Sequence, residues 1–211
     1  MRKFTLYAGN LMAAVMDAGI GMLITSVTSL YFGITLTMPA LMLGAFLALL
    51  PDLDLVPSVL RHATITFDHR QTLLHRPLLL LPVVTLFSFW LGGTLWAIIA
   101  FTCVLWHFLH DTNFVDDTYG VAWLWPFSNQ FWSVRGFFEP PVPLSHEEWL
   151  KKHWLRPTDV SLRELGIGAA TALVAGKLVN ISEWEEALLL GIFMVVIIGV
   201  WVLADRVHYR N

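Results

Sequence analysis

Two histidines and an aspartate stand close together at the end of a long apolar run, in Trp106-His107-Phe108-Leu109-His110-Asp111. On a helix, positions i, i+3 and i+4 share one face, so His107, His110 and Asp111 point the same way. Neutral imidazole nitrogen and carboxylate oxygen form a ligand set for Zn, Mn or Fe. His107 and Asp111 are turned only ~40° apart around the helix, a spacing with which two helical side chains grip one ion. His110 is turned roughly 100° from Asp111, so it reaches either a second ion or a neighbouring carboxylate. The plainer alternative is a helix end that turns polar on leaving a membrane.

Further groups of the same chemistry occur elsewhere in the chain. Asp52 and Asp54 follow one apolar run, while Asp68, His69, Arg70 and His75 precede another. Asn10 and Asp17 lie on nearly the same face of the first apolar segment, ~10 Å apart along its axis. An ionisable residue at membrane depth faces the bundle interior and is a functional candidate by default. Counting from the start of the segment, Asn10 falls near the depth of His107 and Asp17 deeper. A structural hydrogen bond to a neighbouring helix is the competing role for Asp17. The single cysteine, Cys103, excludes an internal disulfide and a cysteine-only metal site.

The elements that must carry these residues are apolar helices. The 211 residues are 56% hydrophobic and 14% charged, with a mean hydropathy of +0.64, against roughly 25% charged in soluble domains. This composition predicts an all-α, polytopic membrane helix bundle forming one membrane-embedded domain. About six apolar segments can be drawn: Thr5–Leu30, Leu36–Leu50, Pro77–Leu91, Thr94–His110, Leu165–Val179 and Ala187–Ala204. The second, third and fifth are short against the ~20 residues of a spanning helix. Gly92-Gly93 predicts a tight turn that makes the third and fourth a helical hairpin. Arg2 and Lys3 open the chain, but the apolar pattern runs on without a small-residue cleavage site, so the first helix reads as retained.

Orientation follows from Lys and Arg. With the N-terminus inside and all six segments spanning, Arg2, Lys3, Arg61, Arg70, Arg76, Arg135, Lys151, Lys152, Arg156, Arg163, Arg206 and Arg210 are cytoplasmic, and of the 13 basic residues only Lys177 is not. Both termini are then cytoplasmic, and the His/Asp groups gather at the cytoplasmic ends of helices. The long connection from Asp111 to Glu164 reads as an interfacial segment. Its aromatics, among them Trp123, Trp125, Phe127, Phe131 and Trp132, suit the headgroup level. Glu139 to Pro143 is stiff and extended, and Ser145 to Glu148 matches a capping box before a short surface helix bearing Trp149 and Trp154. His146 and His153 read there as interfacial polar residues. The net charge of −3 argues against a general nucleic-acid binder.

Four motifs in order resemble the YdjM-like membrane-bound metal-dependent hydrolases, the domain 457 family. They are Leu50-Pro51-Asp52-Leu53-Asp54; His69 and Arg70 through His75, one residue longer than the family spacing; His107 with Asp111; and Gly120-Val121-Ala122-Trp123-Leu124-Trp125-Pro126-Phe127. They span roughly residues 40 to 130. The histidine that the family carries early in its first helix has no counterpart before His62, and Asn10 is the comparable polar group. The resemblance implies an inner-membrane location and a divalent metal ion. Some members of the family are described as binding the SOS repressor.

On that basis Asp52, Asp54, His69, His75, His107 and Asp111 are the expected ligands of one or two ions, with His110 in or beside the set. Asp54 or Asp68 is the expected proton acceptor, and Arg70 or Arg76 the holder of a phosphate or carboxylate. The expected activity is hydrolysis of a lipid or phosphoester at the cytoplasmic membrane face. A non-enzymatic membrane scaffold, in which the polar groups only pair with each other, is the rival reading. A transporter fits less well, because the polar groups cluster at one end instead of lining a crossing.

Overall fold

The computed structural model describes residues 10–62, 69–113, 120–133, 136–138, 146–153 and 158–183, with isolated positions 185, 188 and 191. Asp68 and nearly all of the segment Ala187–Ala204 lie outside the described residues, as do Glu139 to Pro143, Ser145 and Trp154. The helices are α1 (Val15–Tyr31), α2 (Met38–Ala48), α3 (Val56–His62), α4 (Pro77–Asn113), α5 (His146–His153) and α6 (Asp159–Leu178). Short 3-10 turns at Leu50–Asp54, His69–Gln71 and Leu73–His75 link α2, α3 and α4. Among the described residues the fold is all-α apart from a two-stranded antiparallel ribbon, β1 (Phe131–Ser133) and β2 (Gly136–Phe138).

α4 is a folded hairpin. As a straight rod it would extend ~54 Å at 1.5 Å per residue. Instead His75, just before its start, meets His107, near its end, with ring centroids 5.6 Å apart. The reversal is made at Gly93, where φ is 71° and ψ −162°, a conformation essentially confined to glycine. Leu80 and Val84 of the first arm pack against Ile99, Ala100 and Val104 of the second. The hairpin expected from Gly92-Gly93 is thus present, and it brings the two ends of α4 together.

Small residues set how closely the other helices approach. A Cβ on Gly168 of α6 would stand 2.5 Å from the Val15 carbonyl oxygen of α1, and a Cβ on Gly21 of α1 would overlap the Gly44 backbone of α2. Ser26 Oγ donates to the Ala175 carbonyl at 2.9 Å, crossing from α1 to α6. Helices in lipid gain little from burying apolar groups against each other, so close backbone approach and interhelical hydrogen bonds hold such bundles.

Two described stretches are long and apolar enough to cross a membrane: Asn10–Tyr31, of 22 residues, and Pro77–Thr112, of 36, which includes both arms of the hairpin. Large apolar side chains face outward along them, with Trp90 77% and Leu86 68% exposed. Met38–Ala48 is a shorter apolar helix. The fifth expected segment begins earlier than its hydropathy suggests. Thr158 and Ser161 form a reciprocal capping box that starts α6 at Asp159, and so Glu164 becomes helical.

The aromatic connection is partly buried. Phe127 is 88% exposed, but Val121, Ala122 and Phe131 are buried. Val121 pairs with Trp132 through two backbone hydrogen bonds of 3.1 and 3.0 Å. Trp123 Nε1 donates to Thr112 Oγ1 at 3.0 Å, and the Arg76 guanidinium lies over the rings of Trp125 and Phe131 at 5.8 and 5.7 Å. A cation over an aromatic face is attracted by the ring quadrupole. Part of this segment therefore packs against the end of α4.

Candidate metal centre

The centre forms where several elements end side by side. Asp17 comes from the first turn of α1, Asp52 and Asp54 from the turn after α2, and His75 from the turn before α4. His107, His110 and Asp111 come from the last turns of α4, and Glu164 from the start of α6. The turn Leu50–Asp54 places its two aspartates on opposite sides of one ring. Asp52 Oδ1 is 3.4 Å from His75 Nε2, and Asp54 Oδ2 is 3.4 Å from His75 Nδ1. Thr72 Oγ1 donates to that same Asp54 oxygen.

Two carboxylate oxygens and two imidazole nitrogens face one another here. His75 Nε2 lies 3.4 Å from Asp52 Oδ1 and 3.6 Å from Asp111 Oδ2, and His107 Nε2 lies 3.7 and 3.8 Å from the same two oxygens. One ligand atom each from Asp52, His75 and His107 falls within a mutual separation of 4.8 Å. Donors at ~2.0–2.2 Å from a shared tetrahedral ion are ~3.3–3.6 Å apart. These separations exceed the ~2.7–3.2 Å of an ordinary N–H···O hydrogen bond. His107 Nε2 and Asp111 Oδ2 are buried and make no hydrogen bond among the described residues. Buried polar atoms ordinarily have such a partner, so Asp52, His75 and His107 form a group that could hold a divalent cation, with Asp111 beside it.

Outside the apolar helices, the groups of the centre shift one another's pKa. Burial opposes the charge on Asp52, yet His107 and His75 outweigh it and hold the carboxyl below its ordinary 3.8. Burial likewise opposes the charged form of His75, and Asp52 and Asp54 overcome it, raising the pKa above 6.5. The Asp52 side chain is 30% exposed against 0% for His75, so the site opens to solvent past Asp52. Arg70 stands at the same opening, its Nε 3.6 Å from Asp111 Oδ2. Phe108 closes the other side, edge-on to the His75 and His107 rings at 6.4 and 6.1 Å.

Not all the residues singled out in the sequence meet at this point. Asp52, His75, His107 and Asp111 do. Asp54 lies behind His75. His110 turns away, with Nδ1 2.9 Å from Asp17 Oδ1 and Nε2 3.8 Å from Glu164 Oε1. His69 has its backbone in a 3-10 turn, its side chain lying outside the described atoms, and Asp68 lies outside altogether. Arg76 lies over the aromatic segment, and its Nη2 donates to the carbonyl of Gln71, in the turn His69–Gln71, at 2.9 Å.

The depth expected for Asn10 and Asp17 is corrected. Asp17, not Asn10, stands level with His107, its Oδ2 3.3 Å from His107 Nδ1. Counting along one helix does not fix its axial offset against the next; here Cys103 Sγ of α4 meets the Gly21 carbonyl of α1 at 3.7 Å, one turn from the Asp17–His107 pair. Two contributors escaped the sequence reading. Trp106 Nε1 donates to Asp17 Oδ1 at 2.8 Å, and Glu164 is buried with its Oε1 making no hydrogen bond among the described residues. Glu164 shares a helical face with Ser161 and Gly168, a small-residue stripe that could have marked it as inward-facing.

Apolar helices presenting outward and a His/Asp cluster at their gathered ends define a helical membrane protein with a candidate metal site. A model of the YdjM inner membrane protein family matches residues 12–208, and the chain belongs to that family. Comparison with the curated proteins and with the solved structures gives no match.

Proposed function

We propose that this inner-membrane protein is a metal-dependent hydrolase. Asp52, His75, His107 and Asp111 would hold one divalent cation, of the Zn, Mn or Fe kind. The observation that carries the reading is the group Asp52, His75 and His107, whose donor atoms lie within 4.8 Å of one another, with Asp111 Oδ2 3.6 and 3.8 Å from the two imidazoles and both His107 Nε2 and Asp111 Oδ2 buried without a hydrogen bond among the described residues. When bound, such an ion supplies Lewis acidity and a water whose pKa is lowered to about 7.

The chain's own groups divide the remaining work. Asp52, the most open of the four, borders the entrance. Arg70 is the group that would receive an anionic phosphoester. Leu53, Val56 and Leu73, all exposed and close in sequence to Asp52, Asp54 or Thr72, suit a substrate presented with an acyl or isoprenoid chain. The substrate class is therefore a lipid or lipid-linked phosphoester. We place the site at the cytoplasmic face, with both termini inside, on the distribution of Lys and Arg.

Detergent-purified protein reconstituted with Zn2+, Mn2+ or Fe2+ tests the reading through metal content and hydrolysis of phosphodiester and phosphomonoester lipids. About one ion per chain and turnover lost in His107→Ala support it. Full metal content with no turnover on any lipid ester rejects the enzyme, and no metal under any preparation rejects the site. A reporter at Asn211 that reads as external would overturn the orientation.

A further inference from the structure

Both histidines of the candidate centre are approached from behind by a carboxylate that does not reach the four-donor point. Asp17 Oδ2 is 3.3 Å from His107 Nδ1, and Asp54 Oδ2 is 3.4 Å from His75 Nδ1. In each ring Nδ1 faces that carboxylate and Nε2 faces Asp52 and Asp111. The two carboxylates come from unrelated elements, an apolar helix and a 3-10 turn, yet they make the same approach.

Each carboxylate is itself held. Asp17, only 4% exposed, receives the Trp106 indole N–H at 2.8 Å and faces His110 Nδ1 at 2.9 Å, both through Oδ1. That leaves Oδ2 directed at His107. His110 in turn has Glu164 of α6 3.8 Å from its Nε2. Asp54 is fixed by the Thr72 hydroxyl. A carboxylate on Nδ1 keeps the ring proton on that nitrogen, so the Nε2 lone pair is free for a cation, and it also fixes the plane of the ring.

We propose that Asp17 and Asp54 are the positioning residues of the centre, each holding one histidine as the Nδ1–H tautomer so that both rings present Nε2 to a divalent cation. This rests on the metal reading above, and it gives Asp54 and His110 work outside the ligand set. Asp54 orients His75 instead of binding the ion or taking a proton. His110, with Glu164 and Trp106, fixes Asp17.

Co2+ alone is the probe, because its visible absorption reports ligand number and geometry. Affinity and spectrum are measured on the full chain in detergent for the wild type, Asp17→Asn, Asp54→Asn and, as a ligand control, His107→Ala. The two Asn variants are expected to keep the wild-type band positions and to bind about 10- to 100-fold more weakly, the usual cost of losing such a partner. His107→Ala should lose the wild-type spectrum. In the His107→Ala background Asp17→Asn should have no further effect on affinity, while Asp54→Asn still should.

Should Asp17→Asn fail to remain monodisperse, Asp54→Asn at the more open turn decides the matter, together with Thr72→Val. Wild-type affinity in folded Asp54→Asn overturns the proposal while leaving the metal reading intact. A changed band pattern in either Asn variant overturns it too, because that residue is then a ligand. A wild type that takes up no Co2+ overturns the metal reading and this inference together.

Discussion

His75 and His107 belong to opposite ends of one hairpin, and their rings meet edge to face with centroids 5.6 Å apart. Neither residue could share an ion with the other unless the chain reversed between them. The reversal at Gly93 is therefore a condition of the site as well as of the fold.

Substitution of Gly93 tests that dependence. Its φ of 71° and ψ of −162° lie where any Cβ is strained, at about 1–3 kcal/mol. Gly93→Ala should lower the thermal midpoint in detergent and weaken metal binding with it. Gly166, helical and with open space at its Cβ, is the control. Gly166→Ala should stabilise by about 0.5–1 kcal/mol and leave metal binding alone. Equal behaviour of the two variants would show that the turn does not assemble the site.

Ligands and neighbours should separate in a graded series. His75→Ala, His107→Ala and Asp111→Ala each remove a donor from the four-atom set and should lose most of the bound metal. His110→Ala removes a group that faces Asp17 and Glu164, and a loss of about 10- to 100-fold is expected. Elemental analysis and titration on monodisperse protein measure both. A His110 variant as depleted as His107→Ala would make His110 a direct ligand.

The helix contact that brings Glu164 to His110 can be opened. A Cβ at Gly168 would meet the Val15 carbonyl oxygen at 2.5 Å, so α1 and α6 must part. Gly168→Ala is expected to cost about 1–3 kcal/mol, more for Val, with a loss of metal affinity smaller than that of His110→Ala. Unchanged stability would mean that the two backbones are not in contact.

Protons and metal compete for His75. Its pKa is raised above 6.5, because Asp52 and Asp54 outweigh the opposing effect of burial. In the metal-free protein that shift contributes stability below the unfolded value, and the contribution is lost as pH climbs through the folded value. Asp52, held below 3.8, contributes above that ordinary value and loses its contribution as pH falls through the folded one. Only the neutral ring binds metal, so uptake releases a proton. Affinity should therefore climb with pH until it passes the folded value of His75, and then level off. Calorimetry between about pH 6 and pH 9 in buffers of different ionisation enthalpy measures both affinity and proton release. A flat affinity with no proton released would contradict this.

Much of this was legible in the chain itself. Covalent spacing is enough to put His107 and Asp111 on one helical face, because helix periodicity is local. Gly92-Gly93 between two apolar runs is enough for a hairpin, because only glycine accepts such a backbone. The motifs that resemble the family include Asp52, His75, His107 and Asp111, all present at the four-donor point. Partition between ligand and neighbour was not legible, because it depends on which oxygen faces which ring nitrogen across helices far apart in sequence. Asp54 and His110 carry the same chemistry as the four, and only packing turned Asp54 behind His75 and His110 toward Asp17. The depth of Asp17 was likewise decided by how α1 packs against α4, and Glu164 entered because a capping box started α6 six residues ahead of its apolar run. Local periodicity determines what a helix offers on each face, while the axial offset of one helix against another determines which of those offers meet.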